Sequence, residues 1–302
     1  MTPEEILTEN LLSENNRIPA LFERRIGQVV EAVDLMLPES NTTSEDLPGV
    51  LADIGQRYLR LVTASAPDFS EVATIHRQRA ATTFRMLSEC DAASFAQRIS
   101  EKILEQGMRL FRPKTFAPQE TFFVAYVEST LSNAAFSAFR RTYGNASPLY
   151  LDSVREAVTA VSEGRAVLAM IPVFGAAGEP LASSLSHIEE HELFISAFSA
   201  PGGDENIKFA FVATEPLDTA FAATLMTCRV IPSPKFPAGA VLRAASVLGM
   251  HPLRFDSDRH SAQGNRSFVL TMSLDGTPPD AFIAYAHLFT ASCTLYGVYG
   301  VV

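Results

Sequence analysis

Thr121-Phe-Phe-Val-Ala-Tyr-Val127 is the stretch at which the period of the chain changes. It is short, aromatic and β-branched, which suits a strand, and a polar turn then leads into the alanine-rich, helix-period run Ser132–Arg141. A strand that turns directly into a helix opens an α/β layer. The layer continues with a helix capped by Asp152 or Ser153, whose Val154, Val158 and Val161 form an apolar stripe and which Gly164 ends. Val167 to Val173 and Leu193 to Phe198 read as buried strands.

Upstream, the spacing is helical throughout. Leu21, Phe22, Ile26, Val29, Val30 and Val33 share one face, and Leu51, Ile54, Tyr58, Leu59 and Val62 repeat the pattern. Phe95, Ile99, Ile103, Leu104 and Leu110 form a third run that is predicted to stop at Arg112-Pro113, where proline cannot continue a helix. Pro38 to Pro48 reads as the long loop.

Downstream, the order is strand Leu225–Ile231, helix Ala240–Leu248, strand Leu253–Asp256, strand Ser267–Ser273, helix Pro279–Phe289 and strand Thr294–Tyr299. That βαββαβ order is the ferredoxin-like plan. The fold class expected is therefore α plus α/β in three segments: a helical bundle over 1–112, a single α/β lobe over 119–217 and a ferredoxin-like domain over 220–302, with Pro113–Glu120 as the first linker.

Composition narrows the partners. The 302 residues are 47% hydrophobic, 19% charged and carry a formal charge of −10, so no basic surface recommends nucleic acid or an anionic membrane. No stretch approaches the ~20 uninterrupted apolar residues of a membrane span, and the acidic N-terminus lacks the pattern of an export signal. Cys90, Cys228 and Cys293 are few and far apart in sequence, which offers neither a disulfide framework nor a zinc spacing and fits a reducing cytoplasm. No cofactor motif is present: neither a P-loop nor a dinucleotide-binding glycine pattern.

Three motifs carry a resemblance. Val124-Ala-Tyr-Val-Glu-Ser-Thr-Leu-Ser-Asn-Ala-Ala135 is similar to a strand reading V-A-Y-L followed by G-P-x-G-T-x-S and an alanine-rich helix. Ile171-Pro-Val-Phe-Gly-Ala-Ala-Gly178 stands where P-I-E-N-S-x-x-G is expected, and Asn206-Ile-Lys-Phe-Ala-Phe-Val-Ala-Thr-Glu-Pro216 resembles an N-x-T-R-F segment with its following strand. Together they resemble prephenate dehydratase. The resemblance implies an anion-binding loop with Thr130 and Ser132 as its hydroxyls, for which the bland alternative is Ser132 acting as an N-cap, and Lys208 in place of an arginine.

The departures matter as much. Phe174, Gly175 and Ala176 replace a Glu-Asn-Ser set that would hydrogen-bond the substrate, and Ile207 replaces the hydroxyl of the T-R-F motif. The strand His191–Phe198 reaches the third motif through a few residues, so the second lobe of the two-lobed module is missing. Without an opposing wall there is no enclosed cleft to exclude water.

The flanking segments resemble the other parts of the bifunctional chorismate mutase/prephenate dehydratase. Ala20-Leu-Phe-Glu-Arg24 and the helix Ile99 to Phe111 are similar to a chorismate mutase, although Leu35 and Phe111 fall where a lysine and a glutamine are needed. Arg24, Arg77 and Arg79 are the anion-binding candidates of that segment. Pro234 to Leu242 and Gly249 to Arg259 resemble the regulatory ACT domain, which implies ligand contacts at Gly239, Ala240, Val241, Asp256 and Ser257. The expected function is a non-catalytic relative that binds an amino acid or small carboxylate, pairs with itself through residues 225–302, and acts on a protein partner. The alternatives are surviving mutase or dehydratase turnover, or a ligand-independent scaffold.

One rival pattern is His187-Ile-Glu-Glu-His191, which satisfies the H-x-x-E-H zinc-peptidase signature. That chemistry needs both histidines on one helix face, and the strand at Leu193 leaves little helix to hold them. No metal is expected.

Overall fold

The computed structural model describes residues 46–64, 74–202, 206–258 and 266–302. In chain order the elements are α1 (Leu47–Ala64), α2 (Thr74–Glu105), β1 (Lys114–Thr115), β2 (Phe122–Val127), α3 (Thr130–Thr142), β3 (Ala146–Leu151), α4 (Val154–Ser162), β4 (Leu168–Phe174) and α5 (Ala182–Glu190). They continue as β5 (Phe194–Ser199), β6 (Lys208–Ala213), β7 (Leu217–Asp218), β8 (Leu225–Ile231), α6 (Ala238–Val247), β9 (His251–Asp258), β10 (Ser267–Ser273), α7 (Asp280–Phe289) and β11 (Ser292–Val301). The helix expected over Leu21–Val33, with Arg24 in it, falls outside the described residues. No helix among the described residues is long and apolar enough to cross a membrane.

The chain divides into two compact units. The first joins residues 1–110 with 233–248 and 280–290, so it gathers α1, α2, α6 and α7. Its center is aromatic: Tyr58 stacks on Phe95 at 4.6 Å, and Phe289 meets Tyr58 at 5.3 Å and Phe236 at 4.9 Å. Leu51, Ile54 and Tyr58 are buried, as the helical spacing of α1 requires. Gly55 sits at the crossing with α7, where an added Cβ would stand 1.9 Å from the Leu288 carbonyl oxygen. The helices of the upstream run are thus packed with two helices that come from the C-terminal segment.

The third apolar run stops earlier than Arg112. α2 ends at Glu105 because Gly107 takes the left-handed conformation (φ 75°) and closes the helix with two reversed bonds, Gly107 N–H to Leu104 and Met108 N–H to Ile103. That is a Schellman exit, which a glycine makes without Cβ strain.

The second unit contains the sheets. Nine strands form one sheet in the order β3-β2-β4-β6-β5-β11-β8-β10-β9, and β1 and β7 make a small parallel pair. β3, β2 and β4 are parallel, and β6 is antiparallel to β4 and β5. β8 to β11 are antiparallel in the order β11-β8-β10-β9. The junction is β11 with β5, paired in parallel at Gly300 with Ala197 and Val301 with Phe198.

Local chemistry explains the helices. Ser153 caps α4 by accepting the Glu156 N–H at 3.1 Å, Glu156 returns a carboxylate to the Asp152 N–H, and Gly164 (φ 73°) ends the turn. Two cores flank the sheet. One gathers Val158, Val161, Leu185, Ile188, Ile171 and Val173, and it extends to Val269, Tyr296 and Tyr299 of the C-terminal strands. The other holds Phe136, Phe139, Tyr143, Phe209 and Phe211.

Three expectations need correction. β3 is a strand that the short, proline-containing run Ala146-Ser-Pro-Leu-Tyr-Leu151 concealed; it lies at the sheet edge, where Pro148 is tolerated. In Ser267–Ser273, Phe268, Leu270 and Met272 alternate with Ser267, Val269 and Thr271, a pattern that predicts one covered face and one partly apolar open face, yet Val269, Leu270, Thr271 and Met272 are all buried. Val269 belongs to the core that includes Leu185 and Ile188 of α5, so this chain covers the face itself. The strand read as Leu253–Asp256 runs from His251 to Asp258 and accommodates Pro252 at the edge, beside a register shift at Thr271/Met272.

Candidate functional site

Ligands of open α/β sheets bind beyond the carboxyl ends of the parallel strands. Here that end collects the three sequence motifs. Val127 of β2 leads into α3, Phe174 of β4 leads into the turn at Gly175–Gly178, and Lys208, the first residue of antiparallel β6, stands in register with Phe174. Thr130, Ser132 and Lys208 are therefore carried to the same end of one sheet.

Their chemistry differs. Thr130 is exposed in the first turn of α3. The cap of that helix is Ser129, which accepts the Ser132 N–H at 3.1 Å, so the N-cap role expected of Ser132 falls three residues earlier. Ser132 is buried, and its hydroxyl lies 2.8 Å from the Val127 carbonyl oxygen and 2.8 Å from Ser129 Oγ. That hydroxyl is engaged by the turn. Beside it, buried Tyr126 donates to Asn133 Oδ1 at 3.0 Å, and Asn133 reaches Glu128. Burial, reinforced by a hydrogen bond with Tyr150, holds the Tyr126 phenol well above its ordinary range, so it stays protonated at neutral pH.

The turn after β4 is a tight one. Gly178 N–H bonds to Gly175 O at 2.9 Å, Gly175 N–H bonds to Glu179 O, and Phe174 bridges to Pro180. Arg254 of β9 covers it: its guanidinium carbon lies 5.5 Å from the Phe174 ring centroid, and Nη2 donates to the Ala177 carbonyl at 3.4 Å. Gly178 has φ 81°, which favours glycine, and a Cβ there would stand 1.9 Å from Arg254 Nη2, so the guanidinium would have to shift. Asp256 Oδ2 is 3.6 Å from Arg254 Nε. Phe198 adds an edge contact to Phe174 at 6.0 Å.

A second polar cluster escaped the sequence reading. Glu189 on α5 binds Arg229 Nη1 of β8 with one oxygen and accepts Tyr296 Oη–H of β11 at 2.5 Å with the other. Its neighbours in the H-x-x-E-H pattern are separated: His187 faces Glu190 at 3.5 Å, whereas His191 caps the helix and lies 3.0 Å from Ser162 Oγ. No group of three His, Cys, Asp or Glu among the described residues could hold a metal ion.

Of the C-terminal candidates, Gly239 is exposed in the first turn of α6, while Ala240 and Val241 are fully buried core residues. Asp256 is partly buried and Ser257 exposed on β9. The Gly239–Val241 group belongs to the first unit and Asp256–Ser257 to the second. Arg77 and Arg79 fall within α2, with their side chains outside the description.

No family model matches the chain, and no curated protein matches it. Among solved structures it is similar to a prephenate dehydratase from Streptococcus mutans (14% identity, 60% of this chain and 99% of that one, TM-score 0.48). It is also similar to GqqA, described as a novel type of quorum quenching acylase (19% identity, 60% and 95% covered, TM-score 0.47), and to a prephenate dehydratase from Arthrobacter aurescens in complex with L-Phe (14% identity, 59% and 90% covered, TM-score 0.45). Values this low describe a partial likeness in chain path and transfer no chemistry.

Proposed function

We propose that this chain is a non-catalytic relative of the bifunctional chorismate mutase/prephenate dehydratase, binding an amino acid or other small carboxylate. The observation that carries the reading is Arg254 laid over Phe174. At the position where a dehydratase needs donors aimed at its substrate, the turn presents an aromatic ring and closes on a guanidinium from the same chain. Ser132 is engaged locally and Ile207 has no ionisable group, so Lys208 is the remaining charged candidate of the three motifs. A lone ammonium can attract a carboxylate but cannot supply both the acid and the oriented grip that dehydration requires.

Residues 220–302 act in this reading as an ACT-like regulatory segment, and the upstream helices as a chorismate mutase-like one. Because β11 is paired with β5, side-by-side association of two C-terminal segments would use β9, the last strand of the sheet. The setting is the cytoplasm, and a protein partner would read out the bound state.

Titration calorimetry of the full chain with Phe, Tyr, Trp, chorismate and prephenate, together with turnover assays on the last two, tests the proposal. Saturable binding of one carboxylate, weakened about tenfold by Lys208→Ala and without turnover, is the expected result, a tenfold change being about 1.4 kcal/mol. Turnover abolished by the same substitution would establish the enzyme instead. Silence toward all five would leave the scaffold reading.

A further inference from the structure

Cys228 and Cys293 are 65 residues apart by number and neighbours in space. In the β8–β11 ladder, Cys228 stands opposite Leu295 and Cys293 opposite Val230. Residues two apart on a strand share a face, so the two cysteines are diagonal neighbours on the same face of the sheet. Their thiols are hydrogen-bond partners, and both are reduced. Cys228 is fully buried, whereas Cys293, the second residue of β11, is partly exposed.

We propose that Cys228 and Cys293 form a reversible dithiol–disulfide pair, oxidised by a hydroperoxide. Attack of the Cys293 sulfur on hydrogen peroxide breaks the O–O bond, giving a sulfenic acid and one water. The Cys228 sulfur then bonds to the Cys293 sulfur, and the departing hydroxyl leaves with the Cys228 proton as a second water. Both electrons come from the two sulfurs, and a second dithiol reverses the reaction. The exposed residue is the entry point because oxidant reaches it first. The hydrogen bond with Cys293, and then burial, raise the Cys228 thiol well above its ordinary value, so it does not initiate; it gives up its proton to the departing hydroxyl only in the second step.

Reversibility follows from the ladder. Diagonal neighbours sit at about 7–8 Å, beyond the ~7 Å that a disulfide spans without backbone movement, so closure requires the first residues of β11 to move toward β8. A bridge made under such strain is readily reduced.

The test treats the full chain with one equivalent of hydrogen peroxide and maps peptides without reduction. A linked Cys228–Cys293 peptide, lost on adding dithiothreitol, is the expected product, with Cys90 still alkylatable. Cys228→Ala should trap Cys293 as a dimedone-reactive sulfenic acid, and Cys293→Ser should lose both species. Wild-type mapping decides the matter even if the buried variant misfolds. Cys293 oxidised to the sulfinic acid while Cys228 remains alkylatable, or crosslinking through Cys90 alone, would overturn the proposal. Ligand binding plays no part in this readout, so its failure and that of the functional reading are separable.

Discussion

Gly297 of β11 lies against Ile195 of β5 so closely that a Cβ on the glycine would stand 2.2 Å from the Ile195 carbonyl oxygen. Gly300 is hemmed in elsewhere, a Cβ there standing 2.5 Å from the carbonyl oxygen of Ala222, which lies between β7 and β8. Gly297 permits the close approach at which a C-terminal strand joins the α/β strands in one sheet.

Gly297→Val should therefore open the β5–β11 junction. Backbone cannot give way as a side chain does, so the cost is expected at about 2–3 kcal/mol, the upper part of the range for overpacking. Gly144→Ala, where nothing lies within 4 Å, is the control and should change stability by less than about 0.5 kcal/mol. Urea unfolding followed by circular dichroism measures both, and equal midpoints would refute the role of the contact.

The turn at Phe174–Gly178 gives a second outcome. Gly178→Ala forces both an unfavourable backbone conformation and displacement of Arg254, and should cost about 1–3 kcal/mol. Arg254→Ala removes a partly buried stacking contact and a hydrogen bond and should cost about 1 kcal/mol. Because the guanidinium is already gone, the double variant should cost less than the sum. Additive losses in a double-mutant cycle would show that the two residues do not communicate.

Glu89 and Arg243 form an ion pair in the first unit with unequal burial, 2% exposure for the Glu89 side chain and 43% for Arg243. Removing the arginine strands a buried carboxylate; removing the carboxylate leaves a cation that can reach water. Arg243→Met is thus expected to cost about 2 kcal/mol, moderated by solvent screening of the exposed partner, and Glu89→Gln less than about 1 kcal/mol. Thermal unfolding of both variants checks the order, and a larger loss for Glu89→Gln would contradict it.

His287 supplies a pH dependence. Burial lowers its pKa below the ordinary 6.5, so the folded state binds its proton less readily than the unfolded chain. The sign follows: the neutral form is favoured on folding, stability is complete above about pH 6.5, and it falls as the pH drops toward the depressed value. His287→Gln should flatten the melting temperature between pH 7 and pH 5 relative to the wild type. An unchanged slope would assign the acid sensitivity elsewhere.

The elements set by neighbours in sequence were legible from the chain. Ser153 and Gly164 bound α4 because capping acts over three or four residues, and the strand Ser267–Ser273 matches its apolar run from end to end. The three motifs that meet at the carboxyl end of the sheet were also readable, since each adjoins a strand that its own composition announces. What filled that end was not. Arg254 is 80 residues from Phe174, Glu189 is 40 from Arg229, and no local preference records either contact.

Sequence alone determined most of the longer helices and strands and their order, because hydrophobic period, caps and turn residues act within a few positions, but not β3 or the short β1 and β7. Tertiary structure alone decided that β3 closes one edge, that β11 joins β5, and that α6 and α7 pack with α1 and α2. Those choices rest on burial and on backbone approach between residues far apart in the chain, as Gly297 against Ile195 shows, and they form only when both surfaces are present to exclude water together.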